Sequence, residues 1–132
     1  MLKQRFKYIP TKNALMPFVP LKLMKDNLFV ERAALVDSGA EINVLPYYLG
    51  IQLGFVWDDK LASIRLGGGF SQTPAIGIMV KGTVFNLEPV ELFFAWAVSD
   101  TRLILGQTNF FSLYHICFYQ DQGYFEITNK SN

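Results

Sequence analysis

The chain has one cysteine and one histidine among its 132 residues. A lone Cys117 excludes an internal disulfide and a cysteine-rich metal site, and a reducing cytosol is the expected compartment. It lies in the apolar stretch Ile116-Cys117-Phe118 and reads as a buried, inert thiol. His115 has no serine or cysteine partner in a recognisable pattern, so it reads as a surface or capping residue rather than a base. Neither residue points to a metal, and no cofactor is expected. Charge of one sign is also missing: 12 basic against 11 acidic residues leave +1, which favours neither nucleic acid nor an anionic membrane. The longest wholly apolar run, Leu92 to Val98, is seven residues, far short of a membrane span. Lys3, Arg5 and Lys7 are not followed by an apolar stretch of signal-peptide length, so a cytoplasmic protein is expected.

What is abundant is apolar surface. Hydrophobic residues make up 51% of the chain, including twelve phenylalanines, more than one domain of this size needs for its own core. The excess points to a further buried surface, such as a subunit interface or a substrate cleft.

The chain is organised around Ala33-Ala34-Leu35-Val36-Asp37-Ser38-Gly39-Ala40-Glu41. In a strand, Ala33 and Leu35 face one way and Ala34 and Val36 the other, so both faces read as dry. A carboxylate at the end of such a strand is costly unless it is satisfied. Ser38 offers a hydroxyl, and Gly39 permits a tight turn with backbone N–H groups directed at Asp37. Asp-Ser-Gly is also ordinary turn chemistry, and the apolar approach is what sets this instance apart.

The rest reads as one mostly-β domain spanning residues 1–132. Residues 1–20 are expected to be irregular, because Pro10, Pro17 and Pro20 limit pairing, with short edge segments at Tyr8-Ile9 and Phe18-Val19. Leu21–Met24 and Leu28–Val36 form a hairpin around Lys25-Asp26-Asn27. Ile42, Val44 and Leu45 continue as a strand, and Pro46 opens a short helical turn as its first residue. Leu61–Leu66 and Thr73–Val80 form a hairpin, about residues 61–80, tipped by Gly67-Gly68-Gly69-Phe70. The glycines suit a lid, or simply a loose turn. Val84–Leu87, Val90–Val98 and Leu103–Leu105 are further strands. Thr108 and Asn109 suit the cap of a short helix over Phe110–Tyr114. Ile116–Tyr119 and Tyr124–Ile127 close the chain as a hairpin. Many short strands and two brief helices predict a small closed β-barrel.

A buried strand ending in Asp-Ser-Gly-Ala, a glycine-tipped hairpin, and Leu103-Ile104-Leu105-Gly106 leading into a short helix: this order resembles the retropepsin-like aspartic proteases, from about Leu21 to Phe111. The resemblance implies an acid-protease barrel in which Asp37 is catalytic. It implies that Ser38 locks two such loops together across a dimer, and that the Gly39 carbonyl accepts from substrate. Ala40 and Glu41 would floor the substrate groove. Ile42, apolar where some members are acidic, would favour apolar substrate side chains. Gly67, Gly68, Gly69 and Phe70 stand where the family has its flap. Ile104, Leu105 and Gly106 would pack beneath the Asp37 loop. Retroviral members usually carry arginine after that glycine, paired to an acid just past the loop; here Gln107 stands there, and a Glu41–Gln107 hydrogen bond is the expected substitute.

Aspartic-protease chemistry needs two carboxylates about 3 Å apart sharing one proton. Asp26, Asp58, Asp59, Asp100 and Asp121 sit in polar turns without a following glycine, and in Asp100-Thr101-Arg102 an arginine takes its place. The second carboxylate therefore comes from a second copy, with Asp37 opposite Asp37 on a two-fold axis. The expected activity is that of a homodimeric aspartic endopeptidase acting on polypeptide through water held between the two Asp37 carboxylates. The alternatives are a non-catalytic peptide-binding or dimerisation module on the same fold, or an unrelated small barrel with an ordinary Asp-Ser-Gly turn.

Overall fold

The computed structural model describes residues 3–67 and 72–130. In chain order, β1 (Lys3–Lys7), β2 (Ile9–Pro10) and β3 (Leu15–Met16) precede a long hairpin of β4 (Phe18–Lys25) and β5 (Leu28–Val36). β6 (Asn43–Leu45) leads into α1 (Tyr47–Gln52); a 3-10 turn at Asp59–Leu61 precedes β7 (Ile64–Leu66), β8 (Thr73–Val84) and β9 (Val90–Ala97). Then come β10 (Ile104–Leu105), α2 (Phe110–Leu113) and the hairpin of β11 (Tyr114–Tyr119) and β12 (Tyr124–Asn129). No helix among the described residues is long and apolar enough to cross a membrane.

Six strands close into a barrel in the order β4-β5-β10-β6-β9-β8, and β8 returns to β4 with Leu21 opposite Val84. The closed, mostly-β barrel with two short helices is thus the architecture expected from the sequence. β7 hangs on the outer edge of β8, with Ile64 opposite Ala75 and Leu66 opposite Thr73. The β5–β10 and β6–β9 pairs are parallel, the other barrel pairs antiparallel. Closure removes the exposed edges that a sheet this apolar would otherwise offer to other chains.

The interior follows from strand alternation. Val19, Leu21 and Leu23 of β4 point inward while Pro20 between Val19 and Leu21 is exposed. β9 is buried without a break from Phe94 to Ala97, because Phe94 and Trp96 face the main core and Ala95 and Ala97 a second apolar cluster. Trp96 anchors one end. Its Nε1–H donates to the Tyr47 carbonyl (3.1 Å), and Tyr47, Phe55 and Trp57 ring it. α1 rests directly on the indole at Gly50, where a Cβ would come within 2.1 Å of Trp96 Nε1.

Several local expectations are corrected. The segment expected to be irregular is not so over residues 3–20: β1 pairs with β12 along its whole length, and β2 with β3. Pro20 sits inside β4 because its carbonyl faces the β8 side, accepting from Phe85 N–H (3.2 Å), just past the last β4–β8 pair. The missing Pro20 N–H points the same way and interrupts no ladder. Leu61–Leu66 is a strand only from Ile64. Val84–Leu87 is no separate strand; β8 runs on through Val84, and Phe85 turns the chain at φ 45°. Pro46 is the N-cap of α1 rather than its first residue. α2 ends at Leu113, so Tyr114 belongs to β11. Cys117 is exposed, not buried. β11 lies at the edge of the β1-β12-β11 sheet, and Cys117 alternates with the neighbours that pack inward, Ile116 among them.

Candidate active site

β5 carries Asp37 out of the barrel wall between two fixed neighbours. Its last residues are buried from Ala34 to Val36, whereas Ala33 is exposed, so the dry stretch is one residue shorter than the sequence implies. On one side Leu35 N–H donates to the Leu103 carbonyl (2.9 Å) and Asp37 N–H to the Leu105 carbonyl (2.9 Å). On the other, Val36 N–H donates to the Pro17 carbonyl (2.9 Å). The strand end is therefore clamped on both edges before the loop begins.

Within the loop, Gly39 N–H donates to Asp37 Oδ1 (2.9 Å) and Ala40 N–H to the Asp37 carbonyl (3.2 Å). One carboxylate oxygen is thus held by the backbone, as the sequence anticipates. The reason for glycine differs: Gly39 does not have positive φ, but a Cβ there would lie 3.3 Å from Asp37 Oδ1 and crowd the carboxylate. Asp37 is half-buried, and the Ser38 side chain is exposed with no hydrogen bond among the described residues.

A second layer supports the loop from below. Gln107 N–H donates to the Ala40 carbonyl (2.8 Å), Thr108 N–H to the Glu41 carbonyl (2.7 Å), and Ile42 bridges Thr108. Gly106 lies where these segments meet; a Cβ would come 2.7 Å from the Ala40 carbonyl oxygen and 2.8 Å from that of Ile42. Ile104 and Leu105 are buried, Leu105 in the main core and Ile104 in a smaller cluster with Val44, Leu66, Ala95 and Ala97. Gln107 does not reach Glu41. Its Nε2–H donates instead to the Ser38 carbonyl (2.8 Å), a backbone acceptor that an amide satisfies without a counter-charge.

Asn43 escapes a search for apolar periodicity. It is the one buried polar residue among those described, inside an otherwise apolar strand. Its Oδ1 accepts from Gly106 N–H (2.7 Å), and its Nδ2–H donates to the Phe93 carbonyl (2.9 Å) and to Asn109 Oδ1 (3.3 Å). Asn109 is no side-chain cap for α2. It stands at φ 78°, ψ −55°, the strained γ-turn conformation, while its side chain accepts from Phe93 N–H (2.8 Å) and donates to the Glu91 carbonyl (3.3 Å). The polar residue in an apolar run was the available signal for this knot.

Two cavities meet at Asp37. One, of about 600 Å³, is lined by Asp37, Gly39, Ala40, Glu41, Ile42, Val44, Ile104 and Thr108 on one wall and by Ile64–Gly67 on the other. The Asp37 loop and the base of the 61–80 hairpin are thus brought together, as the sequence order implies. Gly68, Gly69 and Phe70 lie outside the described residues. The other cavity, of about 460 Å³, lies against the N-terminal segment and is lined by Tyr8, Leu15, Met16, Pro17, Leu35, Val36, Asp37, Ser38, Phe118 and Gln120. Reading residues 1–20 as irregular hides it. Four of the other aspartates serve their own surroundings: Asp58 accepts from Lys60 N–H, Asp59 from Trp57 Nε1–H, Asp100 from Tyr48 N–H, and Asp26 pairs with Lys25, while Asp121 sits in the 3-10 turn Gln120–Gln122 and lines neither cavity.

Compared with known proteins, the chain matches no family model, and no curated protein matches it either.

Proposed function

We propose that this protein is a homodimeric aspartic endopeptidase of the retropepsin-like kind. The observation that carries the reading is Asp37 itself: a half-buried carboxylate at the end of a core strand, held by Gly39 N–H, at the meeting point of two cavities. A turn aspartate in a merely structural role has no need of a clamped strand on each side and a groove in front.

The chemistry follows from pairing two such groups. Two carboxylates brought together on a two-fold axis cannot both ionise, so one keeps a proton while the other stays charged. The ionised member takes a proton from a water between them, and the neutral member donates to the scissile carbonyl. No second aspartate of the same chain serves here: Asp26, Asp58, Asp59 and Asp100 are each engaged elsewhere, and Asp121 lines neither cavity at Asp37. A second copy supplies it. In such a dimer the exposed Ser38 hydroxyl beside Asp37 would bond across the axis. An extended peptide lies in the larger groove, its side chains against Ile42, Val44, Ile64 and Ile104.

Cleavage of a mixed peptide library from about pH 4 to 7, where a shared-proton dyad holds one proton, tests the reading. Wild type and Asp37→Asn are run side by side, with products read by mass spectrometry. Cuts made by wild type and absent with Asp37→Asn are expected. Cuts that persist in the variant, or a dimer confirmed in the same tube that cuts nothing, would sink the proposal. The second result would leave a peptide-binding module on this barrel.

A further inference from the structure

Four residues past Asp37, Glu41 lines the same groove. Its backbone is fixed, with its carbonyl accepting from Thr108 N–H (2.7 Å). Its side chain is exposed and has no ion pair or hydrogen bond among the described residues. Gln107, the neighbour placed to engage it, donates to the Ser38 carbonyl instead. Arg65 lines the opposite wall of the same groove but makes no ion pair with Glu41. Its guanidinium leans back toward the Ala62 carbonyl (3.5 Å). The groove therefore holds an uncompensated carboxylate at a fixed remove from Asp37, beyond a stretch of apolar wall.

From this we infer that Glu41 is a cation-selecting subsite: the groove takes extended peptides with apolar residues at the centre and a lysine or arginine two to four residues away. The spacing is set by the chain. Four residues span at most about 14 Å, and a strand advances about 3.3 Å per residue, so the cation falls no further than about four positions from the residue at Asp37. The inference rests on the groove being a peptide site, as proposed above, but not on its cutting what it binds. In a two-fold dimer the partner's copy of this residue would favour a basic residue on the other side of the centre as well.

The test uses fluorescein-labelled decapeptides with an apolar centre that differ only in Lys, Gln or Glu at the third residue from it. Binding is measured by anisotropy on Asp37→Asn protein, which leaves the peptides uncut, and then on the same protein carrying Glu41→Gln or Glu41→Lys. An exposed charge pair predicts that Lys binds roughly two- to five-fold tighter than Gln, and Gln tighter than Glu, with the spread shrinking as salt is raised. Glu41→Gln should flatten the order and Glu41→Lys invert it. A charge order indifferent to both variants, or no binding of any peptide, overturns the inference. Glu41-dependent binding alongside a wild type that cuts none of the peptides would leave the inference standing and remove the protease. Cleavage by wild type with no charge preference would do the reverse.

Discussion

Replacing Asn43 by leucine tests whether the buried amide holds the floor of the site. The side chain is completely buried, and leucine, branched at the same carbon but larger, opens no cavity. Two backbone groups lose their partners: Gly106 N–H, at 2.7 Å from Oδ1, and the Phe93 carbonyl, at 2.9 Å from Nδ2. Asn109 Oδ1 is spared, because it still accepts from Phe93 N–H. Each stranded group costs about 1–3 kcal/mol, about 4 kcal/mol together. The extra apolar burial of leucine returns about 2 kcal/mol. The net loss is then about 2 kcal/mol, a large share of a domain's stability. Urea unfolding followed by tryptophan fluorescence reads it, at fixed protein concentration so that self-association does not shift the midpoint. Asn43→Asp sharpens the test. It keeps the acceptor for Gly106 but turns a second oxygen toward the Phe93 carbonyl and Asn109 Oδ1. Burial against two acceptors holds that carboxyl protonated in the folded state, so its pKa is raised on folding. The folded form then binds more protons than the unfolded one, and stability falls as pH rises from the ordinary carboxylate range upward. A leucine variant as stable as wild type, or an aspartate variant whose stability does not fall with pH, would refute the account.

Two other substitutions probe separate parts of the fold. Gly106→Ala sets a methyl 2.7–2.8 Å from two backbone carbonyl oxygens that cannot swing aside; a loss of about 2 kcal/mol or more is expected in the same unfolding assay. Tyr114→Phe should be neutral or stabilising by up to about 1 kcal/mol, because the Tyr114 hydroxyl is buried without a partner among the described residues. Burial pushes that phenol up to about 12 from an ordinary 10. The unfolded chain releases the proton first, so wild type loses stability between pH 10 and pH 12, a slope that alkaline denaturation should find reduced in Tyr114→Phe.

The β4–β5 hairpin and the approach to Asp37 were legible because their signals are local: a polar turn flanked by apolar runs. Asp26 at φ 55° makes that turn, a conformation aspartate tolerates better than most. The N-terminal strand was not legible. Lys3–Lys7 contains a single apolar residue, Phe6, and its partner β12 lies at the far end of the chain, where Phe125 stacks on it. Prolines were misread for a related reason: whether Pro20 breaks a strand depends on which neighbour its absent N–H faces, and that is a tertiary fact. At the site, Asp37 and Gly39 could be picked out from their own stretch of sequence, and Gly106 only through the resemblance that its Ile-Leu-Gly run suggests. Of the Asn43–Asn109 knot only Asn43 gave a signal, as a polar residue in an apolar run; its partner, 66 residues away, carries none until both meet at Phe93 of β9.

The supports around Asp37 share a property that bears on how such a site would work. Gly39 N–H bonds to the Asp37 carboxylate itself, but the other contacts that fix the loop are neutral: Leu105 carbonyl to Asp37 N–H, Gln107 amide to the Ser38 carbonyl, Asn43 amide to Gly106 N–H. An ion pair in the position of Gln107 would weaken as its acid took up a proton, and an exposed one would weaken with salt. Neutral hydrogen bonds do neither, so these supports of the loop persist across the acidic range in which a carboxylate pair would have to share a proton. The same arrangement leaves Glu41 without a partner of its own. Gln107 thus separates two roles that an arginine in its place would join: the loop is held by an amide, and the carboxylate beside the groove is left to meet whatever enters it.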